Sequence, residues 1–397
     1  MTTSIPHMGT TAAIWKKSIL AHSPPDARRF DLPGSMSLHQ DPRWLATLAH
    51  GGDKHVERLV LEQSGTPAGW ATFLVHPSAL RIAFSDWTLY ARPIRRYTLF
   101  APPLLDPDLV TDESASLLAL FGQLRDQLNP DEVLFLESVV DGSPLAGLLA
   151  NDSPLRRQYH ILEYGERYAH RYIDFTGDYI HYLGQLSAST RSDLKRTRKR
   201  FIAEAGGYRT VCYRDPDEVG AFLDAAMAVS ARTYQYKLLG GGLRSRALLE
   251  DRYGTTANLG WFRSYVLFVN EQPIAFQVGH LYRGCYHAQE IGYDPEWSKL
   301  QVGIFLHTEI VPDLLATPRQ VQRFDFGNDD NLHKQRLSNA ATFEGYFYLI
   351  PRHWRSSLIT HAMRTGNWIS ITAGRLLERY GLRKRMRKLL WKLGVVQ

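Results

Sequence analysis

The sequence predicts an α/β protein of the α+β kind, with two domains of one architecture. Three observations carry that expectation. At 397 residues the chain is long enough for two domains and a tail. Apolar runs of strand length alternate with stretches in which apolar residues recur every three or four positions. Two segments also resemble each other, VERLVLEQSGTPAGWATFLV at 56–75 and SYVLFVNEQPIAFQVGHLY at 264–282. Each reads as a β-hairpin whose polar turn is followed by Pro, a small apolar residue and an aromatic, PAGWATF beside PIAFQVG. Pro67 and Pro273 stand about 206 residues apart, which reads as an internal duplication.

The elements follow in order. Residues 1–35 are rich in Pro, Ser, Thr and Gly and read as an irregular N-terminus. Asp41 caps a short helix from Pro42 to Leu48. The first hairpin turns at Ser-Gly-Thr-Pro. DESASLLALFGQLRDQL (112–128) has helical spacing, and EVLFLESVV (132–140) is a buried strand by composition. The second hairpin turns at Asn-Glu-Gln-Pro, and its partner strand is CYHAQEIGYD (285–294), after Arg283-Gly284. A helix from Gln301 to Leu315 and a short strand in QRFDFG (322–327) complete the pattern. The expected domains are 36–165 and 166–350, with a tail at 351–397.

Composition narrows the class. The chain is 44% hydrophobic, 22% charged and 12% aromatic, as in a soluble globular protein. Its two cysteines, Cys212 and Cys285, form neither a disulfide framework nor a zinc motif and suit a reducing cytoplasm. No metal is expected. The N-terminus has no signal-peptide pattern, and no run of about 18 apolar residues suggests a membrane span. The net charge of +7 is concentrated at the end: residues 352–397 carry +10, leaving the body at −3. A body with that balance is not a general nucleic-acid binder.

RSDLKRTRKRF (191–201) looks at first like a nucleic-acid arm, since six of its eleven residues are Lys or Arg. Within SASTRSDLKRTRKRFIAEAGG (187–207) it reads instead as one helix. Thr190 and Asp193 suggest a capping box, Gly206-Gly207 an end, and Leu194, Thr197, Phe201 and Ala205 a packing stripe. The basic residues form either a solvated face or the rim of a groove for phosphates. No helix-turn-helix, zinc-finger or RNA-recognition pattern accompanies them. A Walker A loop, a GxSxG elbow and HExxH are also absent from the sequence.

Four pieces taken together carry a resemblance: LSASTRSDLKRTRKRF (186–201), SARTYQYKLLGGG (230–242), the run 263–310 from RSYVLF to LHTEI, and RFDFGNDDNLHKQRLSN (323–339). In order and spacing they resemble the acetyltransferase domain of the FemAB-like branch of the GNAT superfamily, which includes the CelD/BcsL type. The resemblance implies tandem GNAT-like domains, acyl transfer from acetyl-CoA or another acyl-CoA to an amine, and a basic helix that belongs to the fold. It further implies that the first domain has lost catalytic residues and shapes the cleft.

The chemistry then selects residues. A CoA pyrophosphate suits the N–H groups at a helix start, where the dipole adds favourable field. The segment Lys299, Leu300, Gln301, Val302, Gly303 and Ile304 holds that position, with Gly303 allowing close approach and Lys299 adding charge. The resemblance implies Glu290 as general base, on the strand where GNAT enzymes often carry one. By strand alternation, Glu290 shares a face with Ala288 and Gly292 and faces away from His287. Asp325 is the second catalytic candidate and Tyr346 the candidate proton donor to the thiolate. Tyr234, Tyr236 and Lys237 are candidates for the acceptor groove. Lys334 and Arg336 match the basic pair that follows this strand in the family, whose usual Tyr before the Lys is His333 here.

The tail RLLERYGLRKRMRKLLWKLG (375–394) reads as a basic amphipathic helix suited to an anionic membrane surface. The expected protein is therefore a cytoplasmic N-acyltransferase, peripherally attached to the inner membrane face. Its acceptor would be an amino sugar or another precursor of envelope polysaccharide, and nucleic acid is not an expected partner. Two rivals stand beside it: a FemAB-type transferase using aminoacyl-tRNA, and a non-catalytic scaffold of polysaccharide biosynthesis.

Overall fold

The computed structural model describes residues 14–18, 37–50, 52–84, 87–150, 152–233, 242–316, 321–328 and 330–353, with isolated positions up to 372. The chain forms two compact units. The first is Met1–Glu166 with Gly345–Leu376, and the second contains Arg167–Glu344. Residues 345–350, which the sequence assigns to the second domain, thus belong to the first unit.

In the first unit, strands β1 (Ile14–Ser18), β2 (His55–Gln63), β3 (Thr66–Phe84) and β4 (Trp87–Leu99) are antiparallel neighbours. The expected irregular N-terminus therefore contains a strand. It is anchored by Trp15, which is buried and donates its indole N–H to the Ser116 carbonyl at 2.9 Å. A two-residue strand, β5 (Leu104–Leu105), pairs with β3. The helix Glu113–Gln127, capped by the Asp112 side chain, then leads to β6 (Glu132–Val140), which lies parallel to β4. Leu117, Leu120, Phe121 and Leu124 of that helix pack on Leu59, Phe73 and Leu134 from the sheet. The Pro42–Ala49 helix forms as expected, with Asp41 accepting from the Arg43 N–H.

The second unit repeats that order. Strands β8 (Tyr208–Tyr213), β9 (Ser264–Val269), β10 (Gln272–Tyr282) and β11 (Cys285–Tyr293) are antiparallel neighbours. The helix Val302–Leu315 leads to β12 (Arg323–Asp325), which lies parallel to β11. Strand β7 (Tyr159–Asp174), whose C-terminal half lies in this unit, flanks β12. One sheet face is covered by the helices Ala188–Ala205 and Val302–Leu315, where Phe201 stacks on Phe305 at 3.9 Å. The other face is covered by the helices Val219–Ser230 and Arg246–Asn258.

The paired hairpins agree in detail. Both turn in two residues, Ser64-Gly65 and Asn270-Glu271, and all four have positive φ, the combination that suits the twist of antiparallel strands. The turns are thus shorter than the sequence suggests, and Thr66-Pro67 and Gln272-Pro273 already belong to strands. Each proline is followed by a bulge, at Ala68 and at Ile274. Proline cannot donate to the ladder, so an irregularity beside it costs little.

A third bulge matters more. Val278 pairs with Glu290 and Gly279 with Ala288, so Gln289 has no opposite number. The extra residue inverts the alternation of β11. Tyr286 and Ala288 face the 302–315 helix, whereas Glu290 and Gly292 face the side of Phe276 and Val278. His287 pairs with His280, whose ring meets Tyr253 and Phe262 on that same side. The expectation from simple alternation is therefore corrected: Glu290 shares a face with His287 and not with Ala288. The pleat near the bulge leaves no room at Gly279, where an added Cβ would lie 2.1 Å from the Tyr286 hydroxyl. Tyr286 is fully buried against Tyr265 and Phe324. Gly279→Ala is expected to lower stability by about 1–3 kcal/mol in urea unfolding, as overpacking does. An unchanged midpoint would show that Tyr286 can withdraw.

Candidate active site

The 302–315 helix opens with a tight local structure. Asp294 caps a 3-10 turn, Pro295–Leu300, and Gln301 follows in the left-handed region at φ 51° and ψ 46°. The Gln301 carbonyl accepts from the N–H groups of Ile304 and Phe305. The amides of Val302 and Gly303 precede these first intrahelical bonds and stand at the positive end of the helix dipole. An added Cβ at Gly303 would find its nearest neighbours, Ile291 and Tyr293, at 3.6 and 3.7 Å. Packing therefore does not demand glycine there.

Beside this turn lies a pocket of about 180 Å³, lined by Thr190, Asp193 and Thr197 from the 188–205 helix, by Gln301 and Ile304, and by His333 and Arg336. Thr197 donates to the Gln301 side chain at 3.2 Å, and Arg336 pairs with Asp193 at the rim. Of the six residues expected to hold the cofactor, Gln301 and Ile304 line the pocket and Gly303 lies between them. Leu300 and Val302 point into the core, and the Lys299 carbonyl accepts from Arg200. His333 is a lining residue that sequence reasoning had noted only as a departure from the family's Tyr. Burial, then Lys334 and Arg336, push its pKa down to about 4, so it is neutral.

Half of the basic helix's six cations are paired with carboxylates within the fold. Arg196 and Arg336 share Asp193, Arg198 pairs with Glu309, and Arg200 pairs with Glu204. Arg191 donates to the Leu186 carbonyl. The helix cap is Ser187, which accepts from the Thr190 N–H, so the expected capping box of Thr190 and Asp193 does not form. The expected stripe does form: Leu194, Thr197, Phe201 and Ala205 are all buried.

Opposite the pocket, on the other sheet face, Glu290 is half-buried, and desolvation alone raises its pKa. Its field reaches the buried Tyr253 on the 246–258 helix. Asp325 lies at the end of β12 in a polar cluster. His170 Nε2 approaches Asp325 Oδ1 at 2.7 Å and its Nδ1 approaches Glu344 at 3.1 Å. Glu344 also accepts from Tyr168 and Thr342. Burial opposes charge on His170, but the two carboxylates carry its pKa up to about 10. Burial likewise opposes charge on Asp325, and His170 and His287 overcome it, holding the carboxyl well below its usual range. A carboxylate so held is a poor proton acceptor near neutral pH. The two candidate bases thus stand in contrasting environments, Asp325 held ionised by two imidazoles and Glu290 raised by burial.

The remaining candidates are placed as follows. Tyr346 belongs to the first unit, where it stacks on Phe135 at 6.0 Å beside Tyr348 and Tyr164. Lys334 donates to the carbonyls of Gly327 and Asn328 and so ties down the loop after β12. Tyr234, Tyr236 and Lys237, and the tail 375–394, lie outside the described residues. His170, Glu344 and His287 were not singled out from the sequence. Their one local signal is the alternation of Tyr168, His170 and Tyr172 along a strand whose other face buries Ala169 and Ile173.

Residues 188–335 match the acetyltransferase (GNAT) domain family. This segment is a GNAT-family domain. Similarity to solved structures extends over more of the chain. A structure titled FemX superposes at TM-score 0.58 and 11% identity, covering 87% of this chain and 100% of that one. The C-terminal domain of a lysylphosphatidylglycerol synthetase from Agrobacterium fabrum, named as putative, gives TM-score 0.49 at 12% identity, covering 81% and 90%. A tandem GNAT protein from the clavulanic acid biosynthesis pathway gives 0.46 at 13%, covering 79% and 88%. No curated protein sequence matches the chain significantly. Among the described residues, no helix is long and apolar enough to cross a membrane.

Proposed function

We propose that the second unit transfers an acyl group from acyl-CoA to an amine. The observation that carries this reading is the left-handed turn at Gln301. It presents the Val302 and Gly303 amides beside the pocket, at a glycine that packing does not require. A diphosphate there gains the two N–H donors of Val302 and Gly303 and the helix dipole. Thr190, Thr197 and Gln301 supply further polar contacts.

In the reaction, the amine nitrogen attacks the thioester carbonyl, the C–S bond breaks, and the amine proton passes to a general base, for which Glu290 is the candidate once the acyl end of the donor extends from the pocket to the opposite sheet face. The thiolate leaves as an anion and takes a proton from water. Glu290 suits the base because burial raises its proton affinity above that of an ordinary glutamate. The acceptor fitting the family resemblance is an amino sugar or another amine-bearing envelope precursor. Ion pairing on the 188–205 helix favours CoA over aminoacyl-tRNA as donor, because a polynucleotide needs many free cations and three of this helix's six are engaged by carboxylates.

The test is a thermal-shift titration with acetyl-CoA on the full chain and on Gly303→Ala. Binding at 100 times the dissociation constant stabilises by about 2.7 kcal/mol. The wild type should shift clearly. Gly303→Ala should melt at the wild-type temperature without ligand and shift much less with it. Equal shifts would remove the turn from the donor site.

A further inference from the structure

We propose that Cys285, His287 and Asp325 bind one divalent ion of the zinc type across the seam between β11 and β12. Parallel pairing sets His287 directly beside Asp325, and Cys285 lies two residues back on the same face of β11. A thiol sulfur, an imidazole nitrogen and a carboxylate oxygen thereby all lie within 4.8 Å of one another.

The spacing of His287 and Asp325 fits shared ligation. His287 Nδ1 and Asp325 Oδ2 are 3.4 Å apart. A charge-assisted hydrogen bond closes to about 2.7–2.9 Å. Two ligands on one tetrahedral zinc, each about 2.0–2.2 Å from the metal, stand roughly 3.3–3.6 Å apart. The other carboxylate oxygen, Oδ1, is already oriented by His170 at 2.7 Å and by the Gly327 N–H at 2.7 Å. That is the outer support a ligating carboxylate usually has.

Charge and donor type agree. A thiolate and a carboxylate neutralise a dication, while His170 is balanced by Glu344 behind the site. Sulfur, nitrogen and oxygen donors together select zinc over magnesium or calcium. Three protein ligands leave a fourth position, and half-buried Cys285 gives water and metal a way in. The sequence does not announce the site, because His287 and Asp325 are 38 residues apart and only the parallel pairing joins them.

The experiment is a Co²⁺ titration of the chelator-stripped, full-length protein, followed by Zn²⁺ displacement. The expected result is one equivalent bound, with a thiolate-to-cobalt charge-transfer band that Zn²⁺ removes. Cys285→Ser should abolish the band and keep the wild-type circular dichroism, and Cys212→Ser should leave the band unchanged. Absence of a saturable band in the wild-type protein overturns the proposal without any variant. A band that survives Cys285→Ser overturns it as well.

Discussion

Replacing Glu290 with Gln should cut the acyl-transfer rate by about 10²–10⁴-fold, the usual contribution of a positioned general base. Acetyl-CoA binding should persist, because the donor turn lies on the opposite face of the sheet. Glutamine keeps the shape and removes only the proton acceptor. The pH profile separates this from a structural effect. Burial raises the Glu290 pKa above the ordinary glutamate value, and the group works only when ionised. The wild-type rate should therefore climb with pH through a limb displaced upward from that value, and the limb should vanish in the variant. An undiminished rate, or a limb that stays, would take Glu290 out of the role.

His170→Leu should destabilise the fold by about 3–5 kcal/mol, the usual result of removing one partner from a buried ion pair. His170 holds Asp325 at 2.7 Å and Glu344 at 3.1 Å, and Glu344 is only 4% exposed. Without the imidazole, two carboxylates face one another in the interior with less compensation. Urea unfolding measures the loss. Adding Glu344→Gln removes one orphaned charge, so the double variant should recover part of it, with a coupling energy of about 0.5–3 kcal/mol. A loss under about 1 kcal/mol and no coupling would mean that water reaches the cluster and screens it.

Much of the fold was legible because the signals were local. Turn residues with positive φ, prolines at strand starts and the stripe Leu194, Thr197, Phe201 and Ala205 act within a few positions of themselves. The N-terminal strand escaped because its stability comes from Trp15 meeting Ser116, about a hundred residues away. The ion pair of Arg198 in the basic helix was hidden for the same reason, since its partner Glu309 lies far along the chain.

The candidate site divides in the same way. The helix start near Gln301 was readable from local spacing, but the left-handed turn at Gln301 was not. The cluster of His170, His287, Asp325 and Glu344 comes from separate strands, and no spacing in the sequence brings them together. Glu290 shows the limit of period-two reasoning. One extra residue, Gln289, moved it to the other face.

The most direct test of the central claim is release of free thiol from acetyl-CoA by the full-length protein, followed with a thiol reagent across a panel of amines and amino sugars. The predicted result is amine-dependent thiol release matched one-to-one by N-acetylated product in mass spectrometry. No thiol release with any amine, beside transfer from aminoacyl-tRNA to an amine acceptor, would contradict acyl-CoA as the donor.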